Sequence, residues 1–245
     1  MHRERVLLVG GQRALVMQLA HPKVAAGVAR NSDFPARALE RLRRTLDLTL
    51  ATVFGTPAEA EEAAASIRAV HGRVVGEAGA VGRYDASDPE LLVWVNATLV
   101  DTTMAVYERF VGPLPDDVWR RYYDESLDAA VQFGIPQGAV PPDLHSFRAY
   151  MREMLAGRSL RATDDGRRLV RDVLKPPLPF PWRPPTAAVR LVTLALIPDE
   201  VRRLFGLHAG PGSRAALAAA SRASRAVLPL LPPAVREFSR ARSAA

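Results

Sequence analysis

Five histidines and no cysteine set the limits on metal and nucleophile chemistry in this 245-residue chain. Without thiolates there are no disulfides, no Fe–S clusters and no thiolate-held haem or zinc, so a metal must bind imidazole or oxygen. No histidine pair has the H-x-x-x-H or H-E-x-x-H spacing of a zinc hydrolase. His2 is terminal, while His145 and His208 fall near helix starts or loops. His21 precedes Pro22 in an apolar setting, where a polar residue caps a broken helix. His71 is the sharpest case, because "AASIRAVHGRVVG", residues 64–76, sets one imidazole in a run of alanine, valine and isoleucine. The stripe Ala60, Ala64, Ile67, Val70, His71 and Val74 puts that ring on the buried side of a helix, where at least one nitrogen needs a partner. A core hydrogen bond meets the need; so does a metal or a haem iron. In the preceding helix, "ERLRRTLDL" places Arg41, Arg44 and Thr45 at i, i+3 and i+4, so two guanidinium groups and a hydroxyl share a face. That face is either a solvated edge or a cradle for haem propionates or for dioxygen bound above the iron.

The elements that must position these residues are helical. Val6 to Gln18 and Pro22 to Arg30 read as two helices with a His-Pro break between them. "SDFPARALERLRRTLDLTLATVFG" opens at a Ser32 or Asp33 cap and closes at Gly55. Thr56 caps the next helix, with Pro57 at its first position and Glu59, Glu61 and Glu62 at its positive end; His71 lies towards its other end. After a glycine-rich turn, Asp88-Pro89-Glu90 starts a long helix, apolar around most of its circumference, which should run through the core. "PLPDDVWRRYYDESLDAAVQFGI" and "PPDLHSFRAYMREML" give two more amphipathic helices. No stretch alternates with period two. The expected fold is all-α: one domain over 1–245, with a motif-bearing core at 5–160, a proline-rich strap at 175–185 and C-terminal helices at 186–240 returning to the same core.

Other chemistries fall away. Gly10-Gly11 follows an apolar run but lacks the third glycine of a dinucleotide site and the Gly-Lys-Ser/Thr of a P-loop; it reads as a helix start or a close backbone contact. The formal charge is +7, carried almost wholly by arginine, with Lys23 and Lys175 the two lysines. These bases are scattered and accompany no zinc finger, RNP-like aromatic motif or concentrated basic helix, so nucleic acid is not the expected partner. The N-terminal apolar run is broken by Gln12, Arg13 and Gln18, unlike a signal peptide, and no window approaches the ~18 apolar residues of a spanning helix. A cytoplasmic location is the expectation.

Three stretches, "GGQRALVMQLAHPKVAAGVARNSDF", "RLRRTLDLTLATVFGTPAEAEEAAASIRAVHGRV" and "YDASDPELLVWVNATLVDTTMAVYERFVGPL", resemble the bacterial proteins related to latex-clearing rubber oxygenase and to the mycophenolate-pathway oxygenase MpaB. The resemblance spans most of residues 5–160. It implies an all-helical fold around haem b, held by one histidine and used with dioxygen to cleave carbon–carbon double bonds in isoprenoid chains. Residue by residue it implies His71 as the iron ligand, Arg44 near the distal haem face, and Arg41 and Thr45 in the pocket. Two departures stand out. Latex-clearing enzymes place a glutamate base one helix before the arginine-threonine motif, whereas residues 17–30 hold no carboxylate; either His21 takes that role or the chemistry differs. Asn96 stands where many relatives have histidine, on a face shared with Leu92, Leu99, Val100 and Thr103 that is expected to be buried and hydrogen-bonded.

The leading expectation is a haem-dependent oxygenase acting on an apolar, alkene-containing or isoprenoid-like small molecule. The alternative is a non-catalytic or haem-free helical protein that binds an apolar ligand. A third reading, ranked behind both, is association with an acidic membrane surface through residues 214–242.

Overall fold

The computed structural model describes residues 4–31, 47–48, 50–52, 54–176 and 183–238. The described chain begins with a 3-10 helix, Arg5–Gly10, that widens into helix α1, Gly11–Leu19. Gly10 is required by proximity: a Cβ there would lie 2.5 Å from Thr102 Cγ2 and 2.9 Å from Val106 Cγ2. Gly10 is thus a close backbone approach, while Gly11, with open space beside it, starts the α-helix, so each of the two readings open from sequence holds for one glycine.

The chain bends at Ala20-His21 and restarts at a proline as α2, Pro22–Asn31. Helix α3, Pro57–His71, begins with a full capping box in which Thr56 Oγ1 accepts from the Glu59 N–H and the Glu59 carboxylate accepts from the Thr56 N–H. It stops at His71, and a short antiparallel hairpin follows: β1, Val75–Glu77, and β2, Arg83–Asp85, with Gly76 opposite Tyr84. The molecule is predominantly helical as expected, but period-two reading misses this pair because three-residue strands are too short to alternate visibly.

Asp88 caps α4, Pro89–Phe110, the long helix of the core, in which Trp94, Thr98 and Val106 are fully buried. The helices that follow are α5, Asp116–Gln132; α6, Leu144–Ala156; α7, Asp164–Leu174; α8, Arg183–Leu196; α9, Asp199–Phe205; α10, Pro211–Val227; and α11, Pro233–Arg236, of which α5 and α10 pack directly on α4. Helix α8 starts inside the expected strap at 175–185, because its prolines occupy a first turn, where the missing N–H leaves no intrahelical bond unmade. Residues 177–182 of the strap lie outside the described residues. Val16 and Met17 of α1, Trp94 of α4, Trp119 of α5, Phe147 of α6, Leu169 of α7 and Ile197 before α9 share one apolar cluster.

A polar staple crosses that core. Arg13, 4% exposed, donates Nε–H to the Leu196 carbonyl at 2.9 Å and its other nitrogens to Thr102 Oγ1 and to the Asp101 carboxylate, the last at 2.6 Å. Gln12 adds a donor to the Val173 carbonyl and an acceptor for the Thr193 hydroxyl. One turn of α1 thereby ties α4, α7 and α8 together. A second link joins the ends of the described chain: Glu4, 4% exposed, pairs with Arg236 at 2.6 Å beside a single bridge between Glu4 and Glu237.

Candidate functional site

His71 is the last residue of α3, and Gly72 and Arg73 turn the chain away from the helix axis. Its stripe is less buried than expected. Ala64 is fully covered, but Ile67, Val70, His71 and Val74 are half-buried. The reason is where the helix ends, since Val74 lies beyond the last turn and packs against α2 instead, its Cγ1 3.4 Å from where a Gly27 Cβ would be. Burial holds the His71 imidazole below its ordinary pKa, so the ring is neutral at pH 7, and no hydrogen bond engages it among the described residues. A neutral, uncommitted imidazole at a helix C-terminus has the protonation state of an iron ligand, and the partial negative charge of that helix end favours a cation beside it.

His21 occupies the elbow between α1 and α2. Its Nδ1 is buried without a hydrogen-bond partner among the described residues. Its pKa is lowered to about 4, first by burial and then by the Lys23 charge, with Asp88 opposing and Arg161 adding to the depression. The surroundings are well tied: Lys23 pairs with Asp88 at 3.7 Å, and the Arg161 N–H donates to the Ala20 carbonyl at 2.9 Å. A buried polar nitrogen left unpaired in so well-bonded a turn is an unspent capacity to bind or to take a proton.

Helix α2 is the shared support. His21 stands at its N-terminal end, and Gly27 meets the segment that leaves His71, about 9 Å further along the axis at the usual helical rise. The far end of α2 is fixed on the hairpin, where the Asn31 side chain donates to the Tyr84 hydroxyl at 3.2 Å and Ala26 packs with Ala78 and Tyr84. Arg41, Arg44 and Thr45 lie outside the described residues.

Asn96 departs from expectation. It is half-buried with no hydrogen bond among the described residues, and Leu99, one turn on, is 49% exposed. Leu92 and Val100 are buried, and Thr103 bonds the Tyr122 hydroxyl. Leu99 is therefore an exposed apolar side chain beside a half-buried amide, in the middle of a helix whose other exposed residues, Pro89, Glu90, Glu108 and Arg109, lie at its ends.

A groove of about 470 Å³ opens between α5 and α6, lined by Asp116, Arg120, Asp124, Asp143, His145 and Arg148. Its charges of both signs do not suit an apolar ligand. His145 is exposed there and His208 is exposed in the loop before α10, as their sequence positions suggest. Among the described residues no group of three or more His, Asp or Glu is arranged to hold a metal ion. What sequence reasoning missed is Arg13; its only signal was a lone arginine inside the apolar run "QRALVMQL".

The sequence profile described as "ER-bound oxygenase mpaB/B'/Rubber oxygenase, catalytic domain" matches residues 1–227. The chain belongs to this family. The mpaB/rubber oxygenase match takes in α1 to α4, with both candidate histidines, and continues through α10. Two mycobacterial proteins are also similar, "Uncharacterized protein Mb2261" of Mycobacterium bovis and "Uncharacterized protein Rv2237" of Mycobacterium tuberculosis. Each is 27% identical over 152 residues, 60% of this chain and 60% of the relative. The chain thus spans about 60% of the length of the curated relatives it matches. No solved structure matches it. No helix among the described residues is long and apolar enough to cross a membrane.

Proposed function

We propose that the protein is a haem-b-dependent oxygenase that acts with dioxygen on an apolar, alkene-containing substrate of isoprenoid type. The observation that carries this reading is His71, a neutral, half-buried imidazole without a hydrogen-bond partner among the described residues, at the end of a capped helix in a chain of the mpaB/rubber oxygenase family. His71 would hold the iron through one ring nitrogen. Arg41, Arg44 and Thr45 would complete the pocket, Arg44 serving the dioxygen-binding side and Arg41 and Thr45 helping to fix the cofactor. When bound, haem supplies an iron at which dioxygen is activated for attack on a carbon–carbon double bond. Leu99 of α4, 49% exposed, offers an apolar contact of the kind such a ligand needs.

His21 is the proposed base. Residues 17–30 contain no carboxylate, but a pKa of about 4 makes the buried imidazole as basic as an ordinary glutamate, about 4.3. With its proton on Nε2, Nδ1, which no described residue engages, presents a lone pair that can accept a proton from substrate.

The same lack of a carboxylate supports a second reading, a helical protein that binds an apolar molecule without turning it over. Purified protein titrated with haem b should develop a Soret band that His71→Ala loses or displaces; an unchanged spectrum in that variant removes His71 as the ligand. Oxygen uptake with isoprenoid alkenes then separates the two readings. Haem-loaded wild type that binds the alkene without consuming oxygen leaves only the second.

A further inference from the structure

The end of α10 runs into a tip unlike the rest of the surface. Residues 226–235, "AVLPLLPPAV", carry no charge. Leu230 is 81% exposed, Val235 56% and Val227 48%, and Pro229, Pro232, Pro233 and Ala234 are exposed with them. The tip is held out from both sides. On one side the Ser224 hydroxyl donates to the Phe110 carbonyl at 2.8 Å and the Arg225 guanidinium to the Glu108 carbonyl at 2.5 Å. On the other, Arg236 is locked onto Glu4. A 3-10 turn, Leu228–Leu230, carries the chain across between these anchors. Isolated exposed apolar side chains need no explanation, whereas a contiguous group on an anchored turn marks a contact surface.

Charge identifies what it contacts. From Pro211 to Ala245 the sequence has six arginines and one acid, Glu237. Arg214 and Arg222 stand on one row of α10, spaced by multiples of four with Ala218 and Ala226, so that row leads directly into the tip. Both are exposed and form no ion pair among the described residues. Two copies meeting tip to tip would press these arginines together. An anionic bilayer complements them, while its interface takes up leucine, valine and proline side chains. We propose that residues 226–235 dock the protein on an anionic membrane surface, with Leu230 and Val235 inserted at headgroup level and the Arg214–Arg222 row against the phosphates. The inference is independent of haem, and it places the protein where apolar substrates dissolve.

The test is co-sedimentation of the full chain with vesicles of phosphatidylcholine alone and of phosphatidylcholine with phosphatidylglycerol. Binding is expected only to the anionic vesicles, weakening as salt rises. Leu230→Asp combined with Val235→Asp should lower the partition coefficient by about tenfold or more, and Arg222→Glu by a few-fold with a shallower salt dependence. These positions are solvent-exposed, and unchanged circular-dichroism melts will show that the variants fold. Equal binding by the Leu230/Val235 variant, or no binding to any vesicle, overturns the proposal. So does a concentration-dependent dimer in light scattering that Leu230→Asp abolishes without vesicle binding, which would assign the tip to a second copy of the chain.

Discussion

Arg13 and His71 are both polar side chains set among apolar neighbours, and the molecule treats them in opposite ways. Arg13 in α1 has all its donor nitrogens committed, to a carbonyl of α8 and to two side chains of α4. His71 at the end of α3 has none of its ring nitrogens committed among the described residues. The difference separates a residue that holds helices in register from one whose ring no described residue engages, which is why the proposed function assigns it the iron. His21 falls between them, in a tightly bonded elbow yet with Nδ1 unpaired among the described residues.

The comparison breaks first at Arg13. Replacing it with alanine leaves Thr102, the Asp101 carboxylate and the Leu196 carbonyl without their donor, and loss of one partner of a largely buried ion pair costs about 3 kcal/mol. The expected result is a large fall in the urea midpoint. A loss under about 1 kcal/mol would show the staple to be ornamental.

The next effect appears through pH. His21 has a folded pKa near 4 against an ordinary 6.5, so as pH falls below 6.5 the unfolded chain binds the proton first. Its contribution is full above about 6.5 and is lost as pH falls towards 4. Part of the ring remains solvent-screened, so the loss is on the order of 2 kcal/mol. Urea midpoints at pH 7 and pH 4.5 measure it, and His21→Leu should flatten the difference. If that variant loses as much stability as wild type over the same interval, the acid limb belongs to other groups.

Smaller again is Thr56→Ala, which removes the capping box at the far end of the helix that presents His71, at about 1 kcal/mol. Thermal melts should register it, with haem affinity moved far less than by any change at His71. A haem affinity that collapses with the cap would mean that the order of α3, rather than the imidazole, limits binding.

These residues differ in how legible they were. The Thr56 box and the Asp88-Pro89 start could be read directly, because capping is a local pattern of three or four residues. Helix α7 escaped although Thr163, Asp164 and Asp165 announce it, since Gly166 interrupts the pattern; its tolerance comes from tight packing, a Cβ there lying 3.2 Å from the Leu19 carbonyl. The membership of Arg13 in a network was invisible because its partners are 88 to 183 positions away. For His71 the sequence identified the residue but overstated its burial, having run the helical period through Gly72 to Val74 when the helix ends at His71 itself. Asn96 and Leu99 failed alike: an all-round apolar helix does not reveal which strip its neighbours leave open.

The smallest expected change in stability is at the residue with the largest expected functional effect. His71→Ala removes a half-buried ring that no hydrogen bond engages among the described residues, and alanine is the better helix former, so the apoprotein should shift by about 0.5 kcal/mol or less. Haem should raise the stability of wild type by about 2.7 kcal/mol at a free concentration a hundredfold above its dissociation constant, and the variant should show no such rise. Paired melts with and without haem therefore separate the two roles in one experiment. If His71→Ala instead destabilises the apoprotein to the extent expected of Arg13→Ala, the imidazole is part of the core, and the contrast between the two residues disappears along with the reason to assign it to iron.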